Sequence, residues 1–303
     1  MKTLLVVVGP TAVGKTALAI QLAQHFQTAI ISADSRQFYR EMAIGTAKPS
    51  LEEQAAAPHY FIDSHSLETP YSAGDFEVDA LAKLEELFKT QDEVVMVGGS
   101  GLFVKAVCEG LDNLPKATPG VRDRLNAEFE AQGIAPLQAR LAALDPAYYK
   151  EVDQHNPQRI IRALEVCEST GLPFSSFRKN ALQKRPFRIV TIGLTMDRAK
   201  LYERINLRVD KMLQEGLIEE VTSLMEFRSL PALQTVGYAE IFDYLEGSLS
   251  LSEAVEKVKQ NSRRYAKRQL TWFHKDQQTQ WFEPTDWSNI MAYITEQKAD
   301  SLR

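Results

Sequence analysis

The chain has 303 residues, of which 44% are hydrophobic and 25% charged, a composition that excludes disordered, fibrous and disulfide-framework classes. Its length suits one large domain, or a core of roughly 200 residues carrying a smaller insertion. With 35 Lys+Arg against 40 Asp+Glu the formal net charge is −5, which argues mildly against a partner held by bulk positive charge, nucleic acid included.

From the N-terminus, residues 4–8 are a short β-branched-rich run stopped by Gly9-Pro10, the pattern of a buried parallel strand. The run is too short for the core of a secretion signal, and no segment approaches the ~18 apolar residues of a membrane span, so a cytoplasmic location is expected. Residues 14–26 place Leu18, Ala19, Leu22 and Ala23 at helical spacing, and residues 29–31 read as a second buried strand ending at Asp34. Leu81, Leu84, Leu87 and Phe88 mark one apolar helix face over 73–88. Residues 94–97 form a third strand, stopped by Gly98-Gly99. Alternation of this kind predicts an α/β fold with a parallel sheet covered on both faces.

After Gly110 the texture changes. Leu114-Pro115 and Thr118-Pro119 mark a linker, and helical patterns over 120–131, 136–144 and 157–170 follow with no strand until 187–194. This reads as a helical insertion that interrupts the sheet core. Helices are then expected over 198–214, 218–227, 238–245 and 252–274. Cys108 and Cys167 lack metal-ligand spacing and read as small apolar residues.

Gly9, Pro10, Thr11, Ala12, Val13, Gly14, Lys15 and Thr16 match G-x-x-x-x-G-K-[ST], with a strand before and a helix after. In such a loop backbone N–H groups and a helix N-terminus wrap a phosphate. Lys15 adds a point charge, and Thr16 can ligate a phosphate-bound Mg²⁺. Most such loops belong to NTPases and kinases, whose second apolar strand ends in an Asp that holds Mg²⁺. Here residues 94–97 end instead in Gly98-Gly99-Ser100-Gly101, and the nearest strand-end acid is Asp34.

Asp34 has two readings. With Gln37 three residues on, it resembles a helix cap. Placed at the strand end beside the phosphate loop, it is also a candidate general base, with Gln37 offering amide hydrogen bonds to a base edge. Lys48, in the turn 45–49, lies on the same predicted sheet edge and could be directed toward a ligand. Asn156 and Pro157 start a helix whose Gln158, Arg159 and Arg162 share one side. Arg204, Arg208 and Lys211 recur at helical spacing. Arg263, Arg264, Lys267 and Arg268 crowd one helix with Tyr265, Trp272 and Phe273 interleaved, a pattern able to meet RNA phosphates and stack bases. A solvated face is the plainer account of both charge runs.

Taken in order, the motifs at 9–16, 34–39, 45–49, 57–59, 71–76, 98–102, 156–166, 208–212, 236–238 and 266–272 closely resemble those of bacterial tRNA dimethylallyltransferases, also called tRNA isopentenyltransferases. The resemblance runs from Val6 to about Trp281. It implies a P-loop NTPase-like parallel sheet core (1–114 and 187–303) and a helical insertion domain (115–186) that grips the tRNA anticodon stem-loop. It also implies Mg²⁺, and transfer of a dimethylallyl group from dimethylallyl diphosphate to the exocyclic amine of adenosine 37. The phosphate loop would then hold the diphosphate leaving group.

By resemblance Asp34 is the general base, Arg208 stabilises the departing diphosphate, and Thr11 joins them at the reacting centre. Residues matching tRNA-contacting regions are Asp34, Ser35, Arg36, Gln37, Ser100, Arg122, Gln158, Arg159, Ile160, Ile161, Arg162, Gln234, Thr235, Val236, Gly237, Tyr238 and Ala239. The chain departs from the usual pattern at Ser100 and Phe103, and at Gln234 and Ala239, where some relatives carry arginine. Three other classes compete: an adenylate isopentenyltransferase, a P-loop kinase, and a non-catalytic RNA-binding protein. With no heptad or exposed repeat, a monomer without a membrane or protein partner is expected.

Overall fold

In a computed structural model that describes residues 1–178 and 182–299, the opening apolar run forms strand β1 (Thr3–Val8), every residue of it buried. Then come α1 (Lys15–His25), β2 (Ile30–Ser32), α2 (Leu51–Ala56), β3 (His59–Tyr60), α3 (Ala73–Leu87), β4 (Glu93–Val97) and α4 (Gly101–Glu109). Helices α5 (Val121–Gln132), α6 (Ala135–Leu144), α7 (Pro146–Glu151) and α8 (Pro157–Thr170) follow without a strand. The chain continues with β5 (Arg188–Leu194), α9 (Arg198–Gln214), α10 (Leu217–Ser223), α11 (Tyr238–Leu245) and α12 (Leu251–Phe273). It ends with β6 (Gln280–Phe282) and α13 (Trp287–Ala299). The described residues divide into two compact units: 1–109 with 184–299, and 110–178 with 182–183.

The first unit is built on a six-stranded sheet in the order β3-β2-β4-β1-β5-β6, with every pairing parallel. Strand side chains alternate between faces, so a central strand covered on both sides must be apolar throughout. Leu5 and Val7 pack with Leu18, Leu22, Ile290 and Ile294 on one face. Leu4, Val6 and Val8 pack with Phe38, Phe76, Leu84 and Phe273 on the other. Each such fully buried side chain contributes roughly 1.5–3 kcal/mol, which explains why the β1 run shows no polar alternation. A third cluster, containing Met42, Leu217, Val221, Tyr238 and Ile241, joins the 39–42 segment to α10 and α11.

The parallel arrangement brings the ends of β1, β2 and β4 to one edge, where open α/β sheets bind ligands. Three departures from the expected elements concern the sheet margins. Strands β3 and β6 and helix α13 carry no strong sequence pattern. The two strands are two and three residues long, and only Ile290 and Ile294 of α13 are buried. The expected helix over 218–227 ends at Ser223 and is followed by a 3₁₀ turn, Met225–Phe227.

The second unit has its own core of Leu125, Leu137, Leu141, Ile160, Ile161 and Leu164. Asn156 caps α8, its side chain accepting from Arg159 N–H, with Pro157 in the first turn and Gly171 closing the helix in the left-handed region. Buried Asp145 caps α7 through Tyr148 N–H and also accepts from Ser175 N–H and Oγ–H. Among the described residues no helix is long and apolar enough to cross a membrane.

Candidate active site

The phosphate loop, residues 9–16, links β1 to α1. Gly9 holds φ 144°, and a Cβ there would stand 2.6 Å from the Leu194 carbonyl oxygen. Only glycine lets β5 lie this close to the loop. Ala12, Gly9 and Gly14 all adopt positive φ, the conformation that turns successive N–H groups into an anion-binding concavity. The Lys15 ammonium donates to Pro10 O at 2.8 Å. Burial, then the Arg208 charge, push its pKa down to about 7, while Asp34 pulls the other way. A lysine so desolvated has much to gain from an anion.

Asp34 follows β2 at the same edge. Residues 35–38 form a turn, not a helix, so the capping-box reading does not hold. The Asp34 carboxylate accepts instead from Arg36 N–H at 3.0 Å, an Asx-type contact that leaves it half-buried beside the loop. From α9, Arg208 donates to Thr11 Oγ1 at 3.2 Å and to Ala47 O at 3.4 Å. Burial lowers the Arg208 pKa, and the Asp34 and Glu53 carboxylates oppose that shift. One turn earlier, Arg204 donates to Ala12 O at 2.8 Å.

Two cavities meet at these groups. The first, about 570 Å³, is lined by Thr11, Ala12, Gly14, Lys15 and Thr16 of the loop together with Glu53, Arg204 and Lys211. The second, about 550 Å³, is lined by Ser35, Arg36, Gln234, Val236, Ala239 and Arg268. Thr11, Ala12, Asp34, Thr46, Arg208 and Tyr265 belong to both walls. The junction therefore carries one carboxylate, one guanidinium, two threonine hydroxyls and one phenol ring. The Tyr265 pKa is pushed up to about 12 by burial and the nearby Asp34 charge, and its hydroxyl pairs with Ser100. Ser100 also accepts from Ser35 N–H and donates to Ser35 Oγ.

Thus Thr11, Lys15, Thr16, Asp34 and Arg208 come together as the sequence suggests, and Ser35, Arg36, Gln37, Ser100, Gln234, Thr235, Val236, Gly237 and Ala239 surround the same junction. Other expectations need correcting. The Gln37 NH₂ group is taken by Thr46 O and Ala47 O, so it holds the 45–47 turn and is not free for a base edge. Lys48 points away from the loop and pairs with Asp63 at 2.5 Å and Tyr39 O.

Tyr238 is fully buried, its hydroxyl donating to Glu220 at 2.6 Å, so its side chain offers no contact surface. Ile160 and Ile161 are likewise fully buried in the second unit. Of the cations expected to meet RNA on that unit, Arg122 and Arg159 are exposed. Arg122 and half-buried Arg162 are anchored on Glu165, itself 3% exposed.

The basic stretch of α12 also divides. Arg263 turns inward to Asn206 Oδ1 at 2.6 Å, Phe273 is core, and Arg268 lines the second cavity. Two residues escaped the sequence reading. Gln269 stands in a quoted motif but reads as one more polar residue of a basic helix. Glu220 accepts from Ala43, Ile44 and Gly45 N–H groups at 2.9, 2.7 and 3.0 Å, and no local pattern marks it.

Among the described residues no group of three or more His, Cys, Asp or Glu side chains could hold a metal alone. A metal at the loop would draw most of its ligands from phosphate oxygens, a habit of Mg²⁺, and Thr16 lines the cavity where it would lie.

Comparison with known proteins gives a consistent result. The family model described as IPP transferase matches residues 37–276. The tRNA dimethylallyltransferase of Christiangramia forsetii is 54% identical over 95% of this chain and 96% of its own length. That of Cytophaga hutchinsonii is 50% identical over 97% and 96%. The crystal structure of the full-length tRNA isopentenylpyrophosphate transferase of Bacillus halodurans superposes with a TM-score of 0.73 at 37% identity, covering 100% of both chains. A eukaryotic dimethylallyltransferase captured acting on tRNA superposes with a TM-score of 0.78 at 25% identity, over 98% of this chain and 78% of that one.

Proposed function

The chain belongs to the IPP transferase family, and we infer that it transfers a dimethylallyl group from dimethylallyl diphosphate to the exocyclic amine of adenosine 37 in tRNA. The observation that carries the residue roles is the meeting of two cavities at Thr11, Asp34 and Arg208. We assign the phosphate-loop cavity to the donor and the cavity beside 234–239 to the acceptor base.

In this reading loop N–H groups, Lys15 and Arg208 bind the diphosphate, while the adenine amine approaches across the junction. The nitrogen lone pair forms the new bond to the allylic carbon as the carbon–oxygen bond breaks, and that electron pair leaves on the diphosphate. Asp34 takes the amine proton. An adenine amine is a poor nucleophile, so positioning, proton removal and stabilisation of leaving-group charge must act together. Thr11 holds Arg208 through its hydroxyl, which keeps the guanidinium turned toward the loop. A base within an anticodon loop is turned out at less cost than one in a duplex.

Mg²⁺ would be held by the Thr16 hydroxyl together with diphosphate oxygens. When bound it neutralises charge on the leaving group. For the anticodon stem-loop we propose Arg122, Gln158, Arg159 and Arg162 as contacts from the helical unit, with Ser35, Arg36 and residues 234–237 and 239 around the base. A monomer acting in the cytoplasm is the arrangement we propose.

The alternative acceptor is a free adenylate. The exposed Arg122 and Arg159, on a unit that carries none of the junction groups, favour RNA, because a mononucleotide needs no such surface. Incubation with labelled dimethylallyl diphosphate and either unmodified tRNA or AMP separates the two. Label in tRNA is expected. Label in AMP alone would transfer the reading to the free nucleotide, and label in neither would overturn it.

A further inference from the structure

Thr11 carries the hydrogen bond from Arg208, and its own backbone is held from outside the loop. Gln269, on α12, accepts from Thr11 N–H through Oε1 at 2.8 Å. Through Nε2 it donates to Gly99 O at 2.9 Å. We propose that Gln269 is a positioning residue for the transfer reaction: it clamps the phosphate loop at Thr11 to the glycine turn after β4, and thereby sets the Thr11–Arg208 pair that meets the departing diphosphate. The inference rests on the donor-site reading above.

Four observations support it. Gln269 is only 5% exposed, and both ends of its amide are satisfied by backbone groups from two different strand ends. Its helix is anchored on either side by Ala266, fully buried, and Phe273, 5% exposed, so the amide has little freedom to follow a shifting loop. Gly99 leaves no room for a Cβ against Gln269 Nε2, so the glycine turn is shaped to admit this side chain. The same turn is where an ordinary P-loop enzyme ends its strand in a metal-holding carboxylate. Gln269 fills that edge with a neutral amide, which ties down the loop without placing a negative charge beside the diphosphate.

The chain of contacts runs from Gly99 O to the Gln269 amide, to Thr11 N–H, to Thr11 Oγ1, to Arg208 Nη1. A displacement of about 1 Å in such a chain can cost on the order of 100-fold in rate.

The test compares wild type, Q269L and Q269E, each also in an R208A background. Q269L removes both contacts. It should raise KM for dimethylallyl diphosphate and lower kcat, each by about tenfold or more, and leave KM for tRNA within about twofold. Because Gln269 acts through Thr11 and Arg208, its cost should shrink to under about threefold when Arg208 is already alanine. Q269E keeps the shape and the Thr11 contact, loses the donor to Gly99 O, and should recover activity as falling pH protonates the new carboxyl.

Calorimetric binding of inorganic diphosphate, with no tRNA present, should weaken about tenfold in Q269L whatever the acceptor. Wild-type values in Q269L and Q269E, or an undiminished Q269L cost in the R208A background, would overturn the proposal. Failure of the wild-type protein to label tRNA would instead count against the functional reading, with the diphosphate measurement still deciding the clamp.

Discussion

Asp34→Asn isolates proton removal from every other duty of that residue. The carboxylate makes a single backbone contact, from Arg36 N–H at 3.0 Å, and the asparagine carbonyl oxygen can accept the same bond. The turn and both cavities should therefore survive, with a melting temperature within a few degrees of wild type. What disappears is a base at the junction, which typically supplies about 10²–10⁴ in rate, or about 2.7–5.5 kcal/mol of barrier. Two smaller effects oppose one another. The Asp34 charge raises the Lys15 pKa and steadies Arg208, so its loss makes Lys15 easier to deprotonate. The same loss removes an anion from beside the diphosphate. Donor affinity should consequently change by less than about tenfold. The assay is single-turnover transfer of labelled dimethylallyl to tRNA with enzyme in excess, alongside diphosphate binding by calorimetry. A single-turnover rate within threefold of wild type would refute the base assignment. A collapse of diphosphate affinity with little loss of rate would show that Asp34 organises the loop instead.

Three further perturbations follow from the same geometry. The Lys15 pKa of about 7 lies below the ordinary 10.5, so the empty protein loses this proton above neutrality and diphosphate must restore it. Donor affinity should fall by up to about tenfold per pH unit above pH 7, with close to one proton taken up per ligand when calorimetry in two buffers is compared near pH 8. The same shift makes unfolding harder as pH rises from 7 toward 10.5, because the unfolded chain holds this proton over that window and the folded one does not. No proton uptake, or an unchanged pH dependence in Lys15→Met, would remove the assignment. Glu220→Ala strips the acceptor from three consecutive N–H groups and from Tyr238. It should cost about 2–4 kcal/mol of stability, read by urea unfolding, and loosen the 43–47 turn that receives Arg208. Arg159→Ala should raise KM for tRNA several-fold, flatten the salt dependence by about one unit of slope, and leave KM for the donor unchanged. A donor effect would mean that the residue does not serve the RNA.

Much of the fold was legible because burial on both sheet faces forces unbroken apolar strands. β1 and the strand residues of β4 and β5 could be read from that alone, as could the change of texture after Gly110. β3 and β6 could not, since two or three residues at a sheet margin bury too little to leave a pattern. In the site, Asp34 and the loop were recognisable because their positions relative to a strand end are local facts. The direction of a polar side chain is not local. Lys48 and Gln37 stand at the right edge, yet Asp63 and the carbonyls of Thr46 and Ala47 claim them. Glu220 lies about 175 residues from the amides it gathers, beyond the reach of any spacing rule. Gln269 was hidden by its neighbours, because a polar residue among Lys267, Arg268 and Thr271 reads as solvated surface. Only the folded structure shows α12 turning that one position inward.

The net charge of −5 illustrates the same distinction between an average and a placement. Counted over the chain, acids outnumber bases, and the mild inference against a nucleic-acid partner follows. Many of those acids are spent within the protein. Glu165 is buried beneath Arg122 and Arg162, Glu220 and Glu240 accept backbone N–H groups, and Glu53 and Asp75 cap helices. The cations at the loop are arranged differently. Lys15, Arg204 and Arg208 line one cavity with Asp34, Glu53 and Lys211, the last paired with Glu215 at 3.4 Å; the hydrogen bonds of the first three go to Pro10 O, Ala12 O, Thr11 Oγ1 and Ala47 O. Neutral carbonyls and a hydroxyl hold a cation in place without cancelling its charge, so the positive field stays available to an arriving anion. Recognition of a polyanion by this protein is therefore decided by how a few cations are anchored, and the surplus of acids elsewhere keeps non-specific adhesion to RNA weak.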